Sequence, residues 1–346
     1  MIRITARRRL CGKRRHFKNN MARGKVGMPK AIPVTFLKAD LLKQLTQVDS
    51  NKECKKRVLL LETAFRRKIE THTLSLPLED AFLRKFNTSP FVLLIHAFNR
   101  KYSHIEQIER DILPAKQFSS METSAGRMVE EVALPIYGWK CVASSMHSAN
   151  SALDGRLEKS NPYKLATLKS GPRCLNDEMS ENFADAVIAN AGQWAKEGGV
   201  SKIDFTYGVL YGTQKISNKK DWHILRNLQD KLPKLPNCAI VVSPNDRWDC
   251  QCVIAGVEVH ASIRIGKDWW AHLGGPTCLM EIMVALIRAC VVPAQLPTTP
   301  AKYTIRDLPE IVSLASVPAD FNVGLLQRSQ LPWLFLIGSH FCDVLS

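Results

Sequence analysis

The sequence predicts an α/β fold: a central mixed β-sheet flanked by helices and preceded by a helical N-terminal extension. Three observations carry this. Residues 152–169 read as two strands joined at Asn161-Pro162, an amphipathic helix follows from Asn176 to Lys196, and Ile203 to Tyr211 is an apolar run of strand length. Apolar residues at helical spacing fill the region before them.

The chain has 346 residues, 45% of them hydrophobic, enough for one large domain or two ordinary ones. Composition divides it into a basic arm (1–34), a helical extension (35–118), a core (119–292) and a Pro-interrupted tail (293–346). No run approaches the roughly 18 apolar residues of a membrane helix, and the start lacks the apolar stretch of a secretory signal. The expectation is a soluble, cytoplasmic protein without a membrane partner. Of the net charge of +16, eleven units sit in residues 1–30, which hold no acid. Such an arm suits a polyanion, because neutralising phosphates releases condensed counterions. A disordered tail, a start at Met21 or Met28, or an organelle-targeting peptide would give the same composition. The ten cysteines include no Cys-x-x-Cys pair, Cys250-x-Cys252 being the closest approach, so reduced thiols are expected and structural zinc is not.

In chain order, Thr35 to Val48 and Lys52 to His72 carry Leu37, Leu41, Leu42 and Leu45, then Val58, Leu61, Phe65 and Ile69, at helical spacing. Pro77 to Phe86 and Pro90 to Lys101 continue the pattern, with prolines at the breaks. Capping one side of the core and gripping DNA are both open roles for this extension. A further helix is expected from Ser124 to Pro135, with Ser124 as N-cap, and it places Glu130 and Glu131 just ahead of the core. Tyr137 to Ser148 reads as a strand or irregular edge. Two strands follow, near Ala152 to Leu157 and from Tyr163 to Lys169, as a hairpin. Asn176 caps the next helix, Glu178 lies in its first turn and Gly198-Gly199 stops it. Ile203 to Tyr211 is a buried strand, Trp222 to Leu232 a helix, and Ala239 to Ser243 a strand. Gly266 to Trp270 opens a helical stretch, and Thr277 to Cys290 is apolar apart from Glu281 and Arg288. Beyond Pro293, prolines interrupt the pattern around the hydrophobic segment Leu331 to Ile337, which either docks on the core or forms a disordered end.

Phosphodiester cleavage needs a bound divalent cation, an activated water, and positive charge where the phosphate oxygens gain negative charge. Asp154, at a strand bend, suits Mg²⁺, which takes hard oxygen ligands and keeps sites for water and phosphate. Lys169 ends the neighbouring strand of the hairpin, so its ammonium can converge on the same point. Asp and Lys at this distance mean little by themselves; the order strand-Asp, turn, strand-Lys, small residues, helix, strand is far more restrictive. His147 among Ser144, Ser145 and Ser148 lacks a nucleophile elbow, and neither a P-loop nor a dinucleotide fingerprint is present.

With Gly126-Arg127-Met128-Val129-Glu130-Glu131, Asp154, Thr167-Leu168-Lys169-Ser170-Gly171, Tyr207-Gly208-Val209-Leu210-Tyr211-Gly212 and Ile224-Leu225-Arg226 in this order, residues 126–275 resemble the PD-(D/E)XK nuclease superfamily. Within it they are similar to type II restriction endonucleases. The resemblance implies a restriction-endonuclease-like core and Mg²⁺-dependent cleavage of double-stranded DNA at a short recognition sequence. It further implies a homodimer on a symmetric site and a cognate DNA methyltransferase as functional partner. Asp154 would hold the metal, and Lys169 would orient the water and stabilise the transition state. The chain departs from the pattern twice: Leu153 precedes Asp154 where proline is usual, and Thr167 stands where the second acid belongs. The missing carboxylate would then come from Glu130 or Glu131, the favoured pair, or from Glu181 or Asp185, with the Leu168 carbonyl completing the shell. In the loop from Ser170 to Asp177, Arg173 can read guanine and Asn176 adenine, or act as phosphate clamp and helix cap. Arg226, with Lys219, Lys220 and His223, would line the DNA path. A repair or recombination nuclease of the same fold and a DNA-binding protein without catalysis remain alternatives.

Overall fold

The β-hairpin after residue 152 is built as its sequence predicts, and the remaining layers pack around its second strand. The structure, a computed structural model, describes residues 29–75, 90–101, 104, 121, 125–142, 152–244, 247–296 and 302–346. The basic arm up to residue 28, the helix expected from Pro77 to Phe86, and the second half of the edge expected from Tyr137 to Ser148 lie outside the described residues.

In order, the elements are β1 (Thr35–Phe36), α1 (Lys38–Ser50), α2 (Lys52–Ser75), α3 (Pro90–Arg100), α4 (125–136), β2 (Lys140–Cys141), β3 (Gly155–Leu157) and β4 (Tyr163–Lys169). Then come α5 (Asp177–Gly198), β5 (Lys202–Val209), α6 (Trp222–Lys231), β6 (Cys238–Val242), β7 (Asp249–Ile254) and β8 (Val257–Ile265). The chain ends with α7 (Lys267–Gly274), α8 (Cys278–Cys290), α9 (Leu308–Val312), α10 (Leu331–Ser339) and β9 (Val344–Leu345).

Among the described residues seven strands form one mixed sheet in the order β2-β3-β4-β5-β8-β7-β6. The pairs β4–β5 and β5–β8 are parallel, and the other neighbours are antiparallel. Parallel neighbours need a crossover, and α5 supplies the one between β4 and β5. Its ends are where the sequence puts them: Asn176 Oδ1 accepts from the Met179 N–H at 2.8 Å, and Gly199 takes the left-handed conformation, φ 63°, that closes the helix.

Side chains alternate across β4, which is buried on both faces. Tyr163 and Leu165 face a layer made with α5 and α6, including Trp194, Phe205 and Leu225. Ala166 and Leu168 face the other layer, with α1, α2, α7, α8 and α10. The tail belongs to this second core: Leu331, Leu334 and Phe335 are fully buried, β9 pairs with β1 in parallel, and the Gly212 N–H donates to the His340 carbonyl at 2.9 Å. The hydrophobic segment at 331–337 therefore docks on the core.

The sequence-based order lacks β7 and β8 of the large sheet and the short pair β1 and β9, β1 taking up the first two residues of the helix expected from Thr35. The hairpin β7–β8 turns at Ala255-Gly256, whose φ angles of 49° and 82° are those of a primed two-residue turn. Among the described residues no single helix is long and apolar enough to cross a membrane.

Candidate active site

At the open end of the β3–β4 hairpin the backbone brings two carboxylates and a lysine together. Asp154, just before β3, is fixed from both sides: its N–H donates to the Ala166 carbonyl at 2.9 Å, and its carbonyl accepts from the Val142 N–H at 3.0 Å. The side chain then reaches across to β4. Its Oδ2 accepts from the Leu168 N–H at 2.6 Å and from the Thr167 hydroxyl at 3.2 Å. Thr167 is buried and donates a hydrogen bond from its hydroxyl to Asp154, so the residue standing in the second-acid position orients the first acid. A residue's N–H and C=O point to the same edge of a strand, so the Leu168 carbonyl faces the Asp154 side as well.

Lys169 lies two residues beyond Thr167 and shares its face of β4. Its Nζ stands 5.6 Å from the ring centroid of Phe183 on α5. A cation–ring contact of this kind is worth about 0.5–1 kcal/mol at an exposed site, enough to bias the rotamer.

The other carboxylate comes from α4. Burial pushes the Glu130 carboxyl up to about 7; the Asp154 charge adds to the rise, and the Lys169 ammonium partly offsets it. Glu131, one residue on and so turned by roughly 100° about the helix axis, points elsewhere. It pairs with Lys68 at 2.5 Å and Arg127 at 2.8 Å, and the Lys68 ammonium holds it below its ordinary value. Glu181 and Asp185 are also engaged, with Lys231 at 2.9 and 2.6 Å, on the side of α5 that faces α6.

The loop after β4 starts at Ser170, whose Cβ would lie 2.8 Å from any Cβ at Gly126; glycine there lets α4 rest on the strand end. Arg173 donates from Nε to the Ile216 carbonyl at 3.1 Å. Asn176 spends its carbonyl oxygen on the α5 cap, and Asp177 is exposed and bonded to Lys220 at 2.6 Å and His223 at 3.0 Å. Lys219 donates to the Gln214 carbonyl and lies 5.3 Å from the Trp248 ring centroid. Arg226 is exposed on α6.

Asp154, Thr167, Leu168, Lys169 and Glu130 thus form one cluster, with Ser170 at its edge, whereas Glu131 faces α2. Lys68 and Arg127, which hold Glu131 away from the cluster, and Phe183, against which Lys169 lies, are neighbours that sequence reasoning did not single out. The Arg127–Glu131 pair has the i,i+4 spacing of a helix contact and was readable; Lys68, 63 residues from Glu131, was not.

Residues 61–230 match the family model described as type II restriction endonuclease EcoO109I, a segment that includes α4, the β3–β4 hairpin, α5, β5 and most of α6. No curated protein matches the chain. With that match laid over a mixed sheet flanked by helices, the chain belongs to the type II restriction endonucleases, nucleases that hydrolyse phosphodiester bonds in DNA.

Proposed function

We propose that this enzyme cuts double-stranded DNA at a short symmetric sequence, with Mg²⁺ held between Asp154 and Glu130. What supports this reading is the hairpin's open end, where Asp154 is fixed by Thr167 and Leu168 and where Asp154 and Lys169 both act on the half-buried Glu130 carboxyl of α4. The donor chemistry fits. Among the described residues no group of three or more His, Cys, Asp and Glu side chains gathers, so the side chains would supply two carboxylates rather than a full shell. Two carboxylates and the Leu168 carbonyl are hard oxygen donors that leave room for water and a phosphate oxygen, as Mg²⁺ requires. When bound, the ion supplies charge that polarises the scissile phosphate and acidifies a water.

The chain's own residues do the rest. Thr167 and the Leu168 N–H occupy Asp154 Oδ2 and so direct Oδ1 toward the cation. Lys169 holds the attacking water and opposes the negative charge that builds on the phosphate. Ser170 and Arg173 contact the DNA beside the cut, Asp177 and Arg226 lie further along its path, and Asn176 serves as a cap. A homodimer matches a symmetric site. A methyltransferase of the same system protects the host DNA, and the pair works in the cytoplasm. Thr167 supports a second reading, a DNA-binding protein without catalysis. Cleavage with Mg²⁺, lost with a chelator and in Glu130→Gln, separates the two: intact DNA under every condition favours the second.

A raised carboxyl favours the protonated form of the fold, so its contribution is complete below the unfolded value and lost as the pH climbs through the folded one. Metal-free protein is therefore expected to lose Tm as the pH rises from about 5 to about 8, with Mg²⁺ restoring part of the loss at the upper end. In Glu130→Gln both the excess slope and the metal effect should vanish; a Tm response to Mg²⁺ equal to that of the parent would remove Glu130 from the metal site.

Deleting residues 1–20, which carry eight of the basic side chains, should weaken DNA binding chiefly at low salt and flatten the dependence of log K on log[salt]. An unchanged slope would leave the arm without a DNA role.

A further inference from the structure

We infer that the helical extension is a positioning device for the metal site: α2 sets the roll of α4 and thereby selects Glu130, rather than its neighbour Glu131, to face Asp154. This rests on reading Glu130 as a metal ligand. Adjacent residues on a helix diverge by roughly 100°, so a modest roll of α4 would trade one acid for the other.

Three attachments oppose that roll. Near the beginning of the described part of α4, Gly126 sits against Ser170. In the middle, Glu131 is drawn away from the site by Lys68 of α2 at 2.5 Å. At the end, Tyr137 wedges its ring where a Cβ on Gly274 would come within 2.3 Å of it, and its hydroxyl donates to Glu281 Oε2 at 2.8 Å. Glu281, on α8, is fully buried and is gripped by Arg57 of α2, from Nε and Nη2, at 2.7 Å each. The Thr277 hydroxyl adds a bond at 2.8 Å.

Arg57 and Lys68 are eleven residues apart, about three helical turns, and so project from the same side of α2. One helix thus holds α4 near the middle directly and at its end through Glu281 and Tyr137. Arg57 and Glu281 both lie outside the matched segment 61–230, so this support is a feature of the whole chain.

The test compares Tyr137→Phe and Lys68→Met with the parent and with Glu130→Gln. Mn²⁺ bound to the protein–DNA complex is counted by electron paramagnetic resonance, with the Mg²⁺ dependence of cleavage alongside. Loss of an outer-shell partner typically costs metal affinity on the order of tenfold; each variant should show a weakening of about that size, with the cleavage rate at saturating metal and the DNA affinity near the parent's. Lys68→Met alters a half-exposed pair and keeps the core, so it reports even where Tyr137→Phe fails to fold. Parent-like Mn²⁺ binding in both folded variants, while Glu130→Gln loses it, would overturn the positioning role alone. Parent-like binding in Glu130→Gln would instead overturn the assignment of the ligand.

Discussion

Lys169→Ala is expected to slow DNA cleavage by roughly a thousandfold or more, the cost of removing one charge aimed at a developing oxyanion in a preorganised site. Lys169 ends β4 on the face of Thr167, with its ammonium near enough to act on Glu130 and held over Phe183. Binding should survive, because one phosphate contact among many contributes a small share of a largely electrostatic affinity. Single-turnover cleavage and a gel-shift titration at matched salt measure the two separately. A variant that cuts at the parent's rate would take Lys169 out of the mechanism. One that loses binding and cleavage in equal measure would make it a DNA anchor.

The second large effect is on stability. Glu281 has no solvent exposure and four hydrogen bonds from Arg57, Tyr137 and Thr277. Burial pushes its carboxyl up, and the Arg57 guanidinium with the two hydroxyls outweighs this and holds it below its ordinary value. Glu281→Ala strips the guanidinium of its partner and leaves a cavity between α2 and α8. Breaking a buried ion pair from one side costs about 3–5 kcal/mol, so a large shift in the urea midpoint is expected. Glu281→Leu, which fills the space, should still leave Arg57 unpaired and recover only part of the loss. A midpoint within the error of the parent's for Glu281→Ala would mean that the network adds nothing net to the fold.

Local chemistry made much of this fold legible in the sequence. The hairpin turn, the Asn176 cap, the Gly199 stop and the apolar run of β5 each depend on residues a few positions apart, and each is found in place. The β7–β8 hairpin escaped for a different reason. β8 runs through Glu258, His260, Ser262 and Arg264, polar side chains on alternate positions, so it lacks the continuous apolar look of β5 although it sits beside it in the sheet. Its alternation, and the tight turn at Ala255-Gly256, were signals open to use.

The candidate site was legible where it follows the hairpin. Asp154 and Lys169 are fixed by strand geometry, and that geometry is a property of residues 152–169. The different surroundings of Glu130 and Glu131 were not legible, because α4 is held by the Lys68–Glu131 and Tyr137–Glu281 contacts, made across 63 and 144 residues with α2 and α8. The place of the tail escaped for the same reason: β9 finds β1 across more than 300 residues, as the bond from the Val34 N–H to Asp343 also does.

The most direct test is digestion of a long, fully sequenced, unmethylated DNA by the purified protein with Mg²⁺, beside chelator and Lys169→Ala controls. The account predicts discrete fragments whose ends share one short symmetric sequence, and intact DNA in both controls. Intact DNA with the parent enzyme and Mg²⁺, or a smear without common ends, would contradict it.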